Sequence, residues 1–182
     1  MAELLITASQ TIGPFFAEGL QWKEGTRLFP NSTPGRRIRL AGTAIDGTGN
    51  AVPDSLIEFW QPDSAGRFGG PRGGTCPGFG RVMTDKSGRY AISTILPGRV
   101  TGADGRLQAP HILVVVFARG LLKQVVTRVF FDGEAANAED PVLALCGARG
   151  ATLIARCDPS DPSAYRWDIV LQGRDETVFF DA

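Results

Sequence analysis

His111-Ile112-Leu113-Val114-Val115-Val116-Phe117-Ala118-Arg119 holds the longest apolar run of the chain, and its reading decides the fold. From Ile112 to Ala118 the run is far short of the ~20 apolar residues that a helix needs to cross a bilayer. Its β-branched and aromatic residues suit a strand. Working outward, similar runs occupy Arg37 to Ile45, Ser55 to Gln61, Arg89 to Ile95, Gln124 to Phe131, Ala151 to Arg156 and Ala164 to Gln172. Between them lie Asp46-Gly47-Thr48-Gly49-Asn50, Asp63-Ser64-Ala65-Gly66, Asp85-Lys86-Ser87-Gly88 and Asp104-Gly105. Glycine there supplies positive φ, and Asp bonds its own backbone in the turn. Many short strands with such punctuation predict an all-β fold, a sandwich of mostly antiparallel strands. One short helix is expected, with Asp140 as cap, Pro141 in the first turn, Val142 to Cys146 as body and Gly147 at the end. No repeat or long linker interrupts the 182 residues, so the expectation is a single domain. It comprises an extended N-terminal arm (1–36) and a core (37–182), with Gly69 to Gly78 as a loop inside it.

Composition excludes several classes of function. Lys+Arg and Asp+Glu both number 19, so the formal net charge is zero. A neutral chain without a basic run offers no footprint for nucleic acid and nothing to an anionic membrane. The N-terminal Met-Ala-Glu-Leu-Leu-Ile-Thr carries an acidic residue where a secretory signal wants positive charge. Cys76, Cys146 and Cys157 are widely spaced and form no C-x-x-C pair. Three reduced thiols in a cytoplasmic protein are the expectation, rather than a disulfide framework or a zinc site.

The usual catalytic constellations are missing. Gly69-Gly70-Pro71-Arg72-Gly73-Gly74 has the glycines of a phosphate-binding loop without the Lys that should follow. A serine-hydrolase triad needs a histidine near Ser and Asp, but there is no G-x-S-x-G elbow. His111 is the sole histidine and opens an apolar strand. Catalytic zinc and non-haem iron sites draw two or three imidazoles from the protein, and one cannot provide them. The aspartates sit singly at turns, as structural ones do.

Taken in order, a set of short motifs resembles the intradiol ring-cleaving dioxygenases over nearly the full length. These are Ser9-Gln10-Thr11-Ile12-Gly13-Pro14, Gly42 to Gly47, Ile57-Glu58-Phe59-Trp60-Gln61, Pro97-Gly98 and Ala109-Pro110-His111-Ile112. They continue with Phe117-Ala118-Arg119-Gly120, Thr127-Arg128-Val129-Phe130-Phe131-Asp132, Tyr165-Arg166-Trp167-Asp168-Ile169 and Glu176-Thr177-Val178-Phe179-Phe180-Asp181. Within that family the likeness is to the iron-free α subunits of the branch that cleaves protocatechuate. The resemblance implies a partner β subunit that holds Fe(III) with two tyrosinates and two histidines. It implies αβ units in a larger oligomer, and conversion of protocatechuate and O₂ to 3-carboxy-cis,cis-muconate in aromatic catabolism.

Compared with that ligand set, this chain has Val100 where a Tyr would follow the Pro97-Gly98 turn, and Leu113 where the second histidine would stand. The loop after Trp60 holds Cys76 and no Tyr, while Tyr90 and Tyr165 fall inside other strands. His111 is therefore expected to be a buried, satisfied histidine at a vestigial position. The resemblance assigns substrate-side roles to Thr11, Gly13, Pro14 and Phe15 of the arm and to Arg119. Glycine allows close backbone approach, and proline fixes φ and removes a donor. Arg119 lies eight residues from His111, roughly 26 Å along a strand, so the two cannot serve one local site. Phe15 stands where relatives often carry Tyr, and the loop after Trp60 is short, which leaves a related dihydroxybenzoate open as substrate. Rival readings are a stand-alone sandwich that binds a small ligand or protein, and an independent single-chain dioxygenase.

Overall fold

The run at 111–117 is the middle of a sheet. In the computed structural model Ile112, Val114 and Val116 are fully buried, while Leu113, Val115 and Phe117 on the opposite face are half-buried. The structure describes residues 8, 10–20, 22, 24–69 and 76–181, with residues 14, 15 and 17 by backbone only. In chain order the elements begin with helix α1 (Pro14–Leu20), then strands β1 (Arg37–Ile45), β2 (Leu56–Trp60), β3 (Phe79–Met83) and β4 (Arg89–Ile95). Strands β5 (Val100–Thr101), β6 (Leu107–Gln108), β7 (His111–Phe117) and β8 (Val125–Phe131) follow, then helix α2 (Pro141–Cys146). The chain closes with β9 (Ile154–Asp158), β10 (Asp161–Arg166) and β11 (Ile169–Val170). Short 3₁₀ stretches at Ala135–Glu139 and Gly147–Leu153 flank α2.

One long sheet, in the order β11-β1-β10-β9-β8-β7-β2-β3 with β4 on the other side of β1, folds over itself into two leaves. Most pairings are antiparallel; β1 with β10, β1 with β11 and β8 with β9 are parallel. Parallel β8–β9 pairing joins the leaves, and the core fills the space between them. Phe59 of β2 meets Tyr90 of β4 across that space at 5.9 Å between ring centroids. Phe131 of β8 meets Tyr165 of β10 edge-on at 5.1 Å. Leu40, Ile57, Ile92 and Ile112 are fully or almost fully buried around them, each contributing about 1.5–3 kcal/mol of apolar burial.

The all-β sandwich expected from the sequence is the observed architecture, and α2 is capped as expected. Asp140 Oδ1 accepts from the N–H groups of Val142 and Leu143 at 2.8 and 2.9 Å, Pro141 stands in the first turn, and Gly147 ends the helix at φ 56°. Some element bounds differ from the sequence reading. Ala151 to Leu153 are 3₁₀, not strand. The run expected from Ala164 to Gln172 breaks at Trp167-Asp168 into β10 and β11, which share one edge of β1. The break is built: Trp167 N–H donates to Ala41 O, the Tyr90 hydroxyl donates to Trp167 O at 2.7 Å, and Asp168 Oδ1 accepts from Thr43 N–H at 2.8 Å. A side chain at Gly42 would collide with the Trp167 carbonyl, so the crossing needs glycine there. The arm also carries α1, which opens on Pro14 as first-turn prolines do. Part of the expected Gly69 to Gly78 loop, residues 70–75, lies outside the described residues. No helix among the described residues is long and apolar enough to cross a membrane.

Candidate functional site

β7 carries one cluster of candidate residues at its start and leads to another beyond its end. At the start, the chain passes through Pro97-Gly98 into the small β5–β6 hairpin, where Val100 pairs with Gln108. Three residues on, His111 is buried, and its Nδ1–H donates to Ala109 O at 2.8 Å. Burial holds the imidazole below its ordinary pKa, which keeps it neutral; the Ala109 bond opposes that shift, Arg128 adds to it and Asp140 opposes it. Its ring packs on Phe130 at 5.3 Å. Directly opposite Leu113 in the β7–β8 register stands Arg128. Its Nη1–H donates to Gln108 Oε1 at 3.0 Å, and the guanidinium lies 5.9 Å from the Phe180 ring. Asp140 closes this end from behind: Oδ1 caps α2 while Oδ2 accepts from Ala109 N–H at 2.7 Å.

These residues do not fit a ferric centre. Val100 and Leu113 donate no lone pair, His111 supplies one nitrogen, and the charged group beside them, Arg128, is itself a cation without an acceptor atom. The phenols are committed elsewhere: Tyr90 to Trp167 O, and Tyr165 as acceptor from Arg36 Nη2 at 2.8 Å. Burial pushes both hydroxyls above their ordinary pKa, the reverse of what a tyrosinate ligand needs. Among the described residues no three His, Cys, Asp or Glu side chains converge.

Beyond the other end, Ala118 is buried, and the chain then turns through Arg119 and Gly120, the latter at φ 91°. Gly120 N–H donates to Thr11 Oγ1 at 2.8 Å, which ties the arm to the β7–β8 turn. Phe16 of α1 rests on Phe117 at 5.2 Å. The Arg119 guanidinium is 60% exposed and reaches Asp54 Oδ2 from Nη2 at 3.3 Å. Leu122, in the same turn, is 65% exposed. Thus Thr11 and Arg119, far apart in sequence, share one surface, with Gly13 exposed and Pro14 and Phe15 beginning α1 beside them. Val100, Leu113 and His111 belong to the opposite end. Sequence reasoning missed Asp54, Gln108, Arg128 and Asp140 as neighbours of these sites. Each is brought in by pairing between strands or turns that no local pattern specifies, although the helix cap signalled Asp140. A groove of about 840 Å³ on the outer face of β1 and β4 includes neither Arg119 nor His111.

The dioxygenase family profile matches residues 11–173. The protocatechuate 3,4-dioxygenase alpha chain of Burkholderia cepacia is 46% identical over the whole of both chains. The Pseudomonas putida alpha chain is 41% identical over 96% of each. The beta chain from Burkholderia cepacia is 32% identical over 79% of this chain and 67% of its own. Among solved structures, the dioxygenase domain of a dioxygenase carbohydrate-binding fusion from Streptomyces sp. SirexAA-E superposes with a TM-score of 0.64. It is 26% identical, over 82% of this chain and 88% of that one. Catechol 1,2-dioxygenase from Acinetobacter sp. ADP1, 19% identical over 79% of this chain and 55% of its own, shares the fold at a TM-score of 0.62. With the profile spanning most of its length and two alpha chains aligned end to end, this chain belongs to the intradiol dioxygenase family.

Proposed function

We propose that this chain is the iron-free subunit of a two-chain protocatechuate 3,4-dioxygenase. In this reading it lines the active site of an iron-bearing partner related to the beta chains. Arg119 and the arm residues Thr11, Gly13, Pro14 and Phe15 face the partner's substrate. The ring-opening of protocatechuate by O₂ to 3-carboxy-cis,cis-muconate belongs to the partner and its Fe(III). This chain's residues bind, orient and exclude water. The observation that carries the reading is the Gly120–Thr11 hydrogen bond, which gathers an exposed guanidinium and the arm onto one surface. A charge-assisted contact from Arg119 to the substrate carboxylate contributes about 1.5–3 kcal/mol, or about 10- to 150-fold in affinity.

The outer face of β7 supports the need for a partner. An antiparallel sheet with one solvated face alternates apolar and polar residues, but β7 is apolar on both. Leu113, Val115 and Phe117 are half-buried, with Trp60 and Val126 but also Glu58 and Arg128 in register beside them; Phe16 of α1 covers Phe117, and Leu122 is exposed nearby. Such a face is stabilised by cover. The free, half-buried cysteines support a reducing compartment, the cytoplasm.

The test is co-expression with a beta-type chain, followed by O₂ uptake with protocatechuate. Turnover by the pair is expected, with none from this chain alone. Stoichiometric iron and turnover in the isolated chain overturn the reading.

A further inference from the structure

We infer that Asp54 is the positioning residue for Arg119, holding one edge of the guanidinium so that the rest is presented to an aromatic carboxylate. The inference rests on the reading of Arg119 given above and adds a residue that no local pattern singled out. Three observations carry it.

Asp54 Oδ2 meets Arg119 Nη2 at 3.3 Å although the two are 65 positions apart in sequence. Asp54 is also the one non-glycine residue among those described whose φ is positive, at 60°. It follows Pro53 in a tight turn, where glycine relieves the backbone at no cost. Asp tolerates that region better than most residues but does not favour it, so an Asp in place of glycine here draws attention to its side chain. Finally, the turn is clamped on both sides by one residue. Thr84 Oγ1–H donates to Val52 O at 2.9 Å, and the same oxygen accepts from Ser55 N–H at 2.9 Å. Thr84 N–H donates back to Ser55 O at 2.9 Å, and Ser55 is fully buried. The carboxylate thus projects from a fixed backbone towards a long, exposed side chain.

As an ion pair this contact contributes little, because both partners are about 60% exposed. Its consequence is geometric. Asp54 Oδ2 engages one N–H of Nη2, so one of the two forks of the planar guanidinium keeps both its N–H groups for a second anion. Fixing the guanidinium in advance reduces the ordering left to the binding step.

The experiment uses the assembled two-chain enzyme and compares D54N, D54G, R119A and the double variant D54N/R119A. D54N is expected to raise KM for protocatechuate about 2- to 5-fold, the range of an exposed charge pair, with kcat within about twofold. D54G is expected to raise KM equally without lowering Tm, since glycine relaxes the turn. In the R119A background, D54N is expected to change nothing further. An unaltered KM in D54N beside a large R119A effect overturns the positioning role and leaves the reading of Arg119 standing. So does an equal D54N effect with and without Arg119. No effect of R119A on KM overturns the reading of Arg119 and the positioning role with it.

Discussion

Where β7 begins, an imidazole is buried against Phe130 and its one N–H is taken by Ala109 O; just past its end, a guanidinium stands more than half in solvent. The first end is closed by complementary groups. Valine and leucine occupy the positions that the family resemblance gives to ligands, Arg128 donates to Gln108, and Asp140 accepts from Ala109 N–H and the first turn of α2. The second end fixes its backbone, through Gly120 and Thr11, and leaves its charged side chain reaching outward. The difference teaches how one strand supports a closed, hydrogen-bonded cluster at one end and a presented charge at the other. Closure needs every buried polar group satisfied, whereas presentation needs a rigid base under a free tip.

Four substitutions sharpen or break that contrast. The largest effect is expected at the closed end from D140A. It removes the cap of α2 and strands the buried Ala109 N–H, costing about 2–4 kcal/mol in denaturant unfolding. A loss below about 1 kcal/mol breaks the view that Asp140 holds this end together. Next is R119A in the assembled enzyme, expected to reduce kcat/KM about 10- to 150-fold while Tm stays unchanged. If kcat/KM holds, the open end has no substrate role.

H111L is expected to change stability by about 1 kcal/mol at neutral pH, because a single buried hydrogen bond goes with the ring. Iron content and turnover of the assembled enzyme are expected to stay as they were. The pH dependence separates the two ends further. The folded pKa of His111 lies below the unfolded value near 6.5, so the unfolded chain binds the proton first. Its share of stability is complete above pH 6.5 and is lost as pH falls through the folded value. The H111L variant lacks that slope. Turn aspartates such as Asp46 and Asp85, lowered from 3.8 chiefly by hydrogen bonds from Thr48 and from Arg89 N–H respectively, act only at lower pH. A slope that persists in H111L assigns it to another group. The smallest effect is expected from T11V, which removes the acceptor for Gly120 N–H. The bond is exposed, so stability changes by less than about 1 kcal/mol, and the readout is a few-fold fall in kcat/KM.

Much of the fold was legible because its signals are local. Arg37 to Ile45 alternates and forms β1 with those bounds, and Asp140-Pro141 with Gly147 delimits α2. Phe79–Met83 was not legible. It contains Gly80, follows a Gly/Pro-rich stretch, and becomes a strand only because β2 pairs with it from Leu56↔Met83 to Trp60↔Phe79. The break at Trp167-Asp168 was hidden for the same reason: its cause is Gly42 and Tyr90, more than seventy residues away. At the site, Val100 and Leu113 plainly carry no donor atom, but only the family resemblance singles out their positions. Arg128 opposite Leu113 could not be read, since register across a hairpin depends on the turn between the strands. Nor could Asp54, whose partner comes from a different part of the sheet.

The pairing of β1 with β10 and β11 has a consequence for synthesis. Thr43 N–H waits for an acceptor 125 positions later, on Asp168. Until the last part of the chain has left the ribosome, one flank of β1 offers bare amides and carbonyls to any neighbour. Closing so wide a loop is slow, and an unpaired flank invites mispairing in the meantime. Truncating the chain before residue 161 therefore removes more than its final strands: it leaves the first strand permanently open, as a template for aggregation.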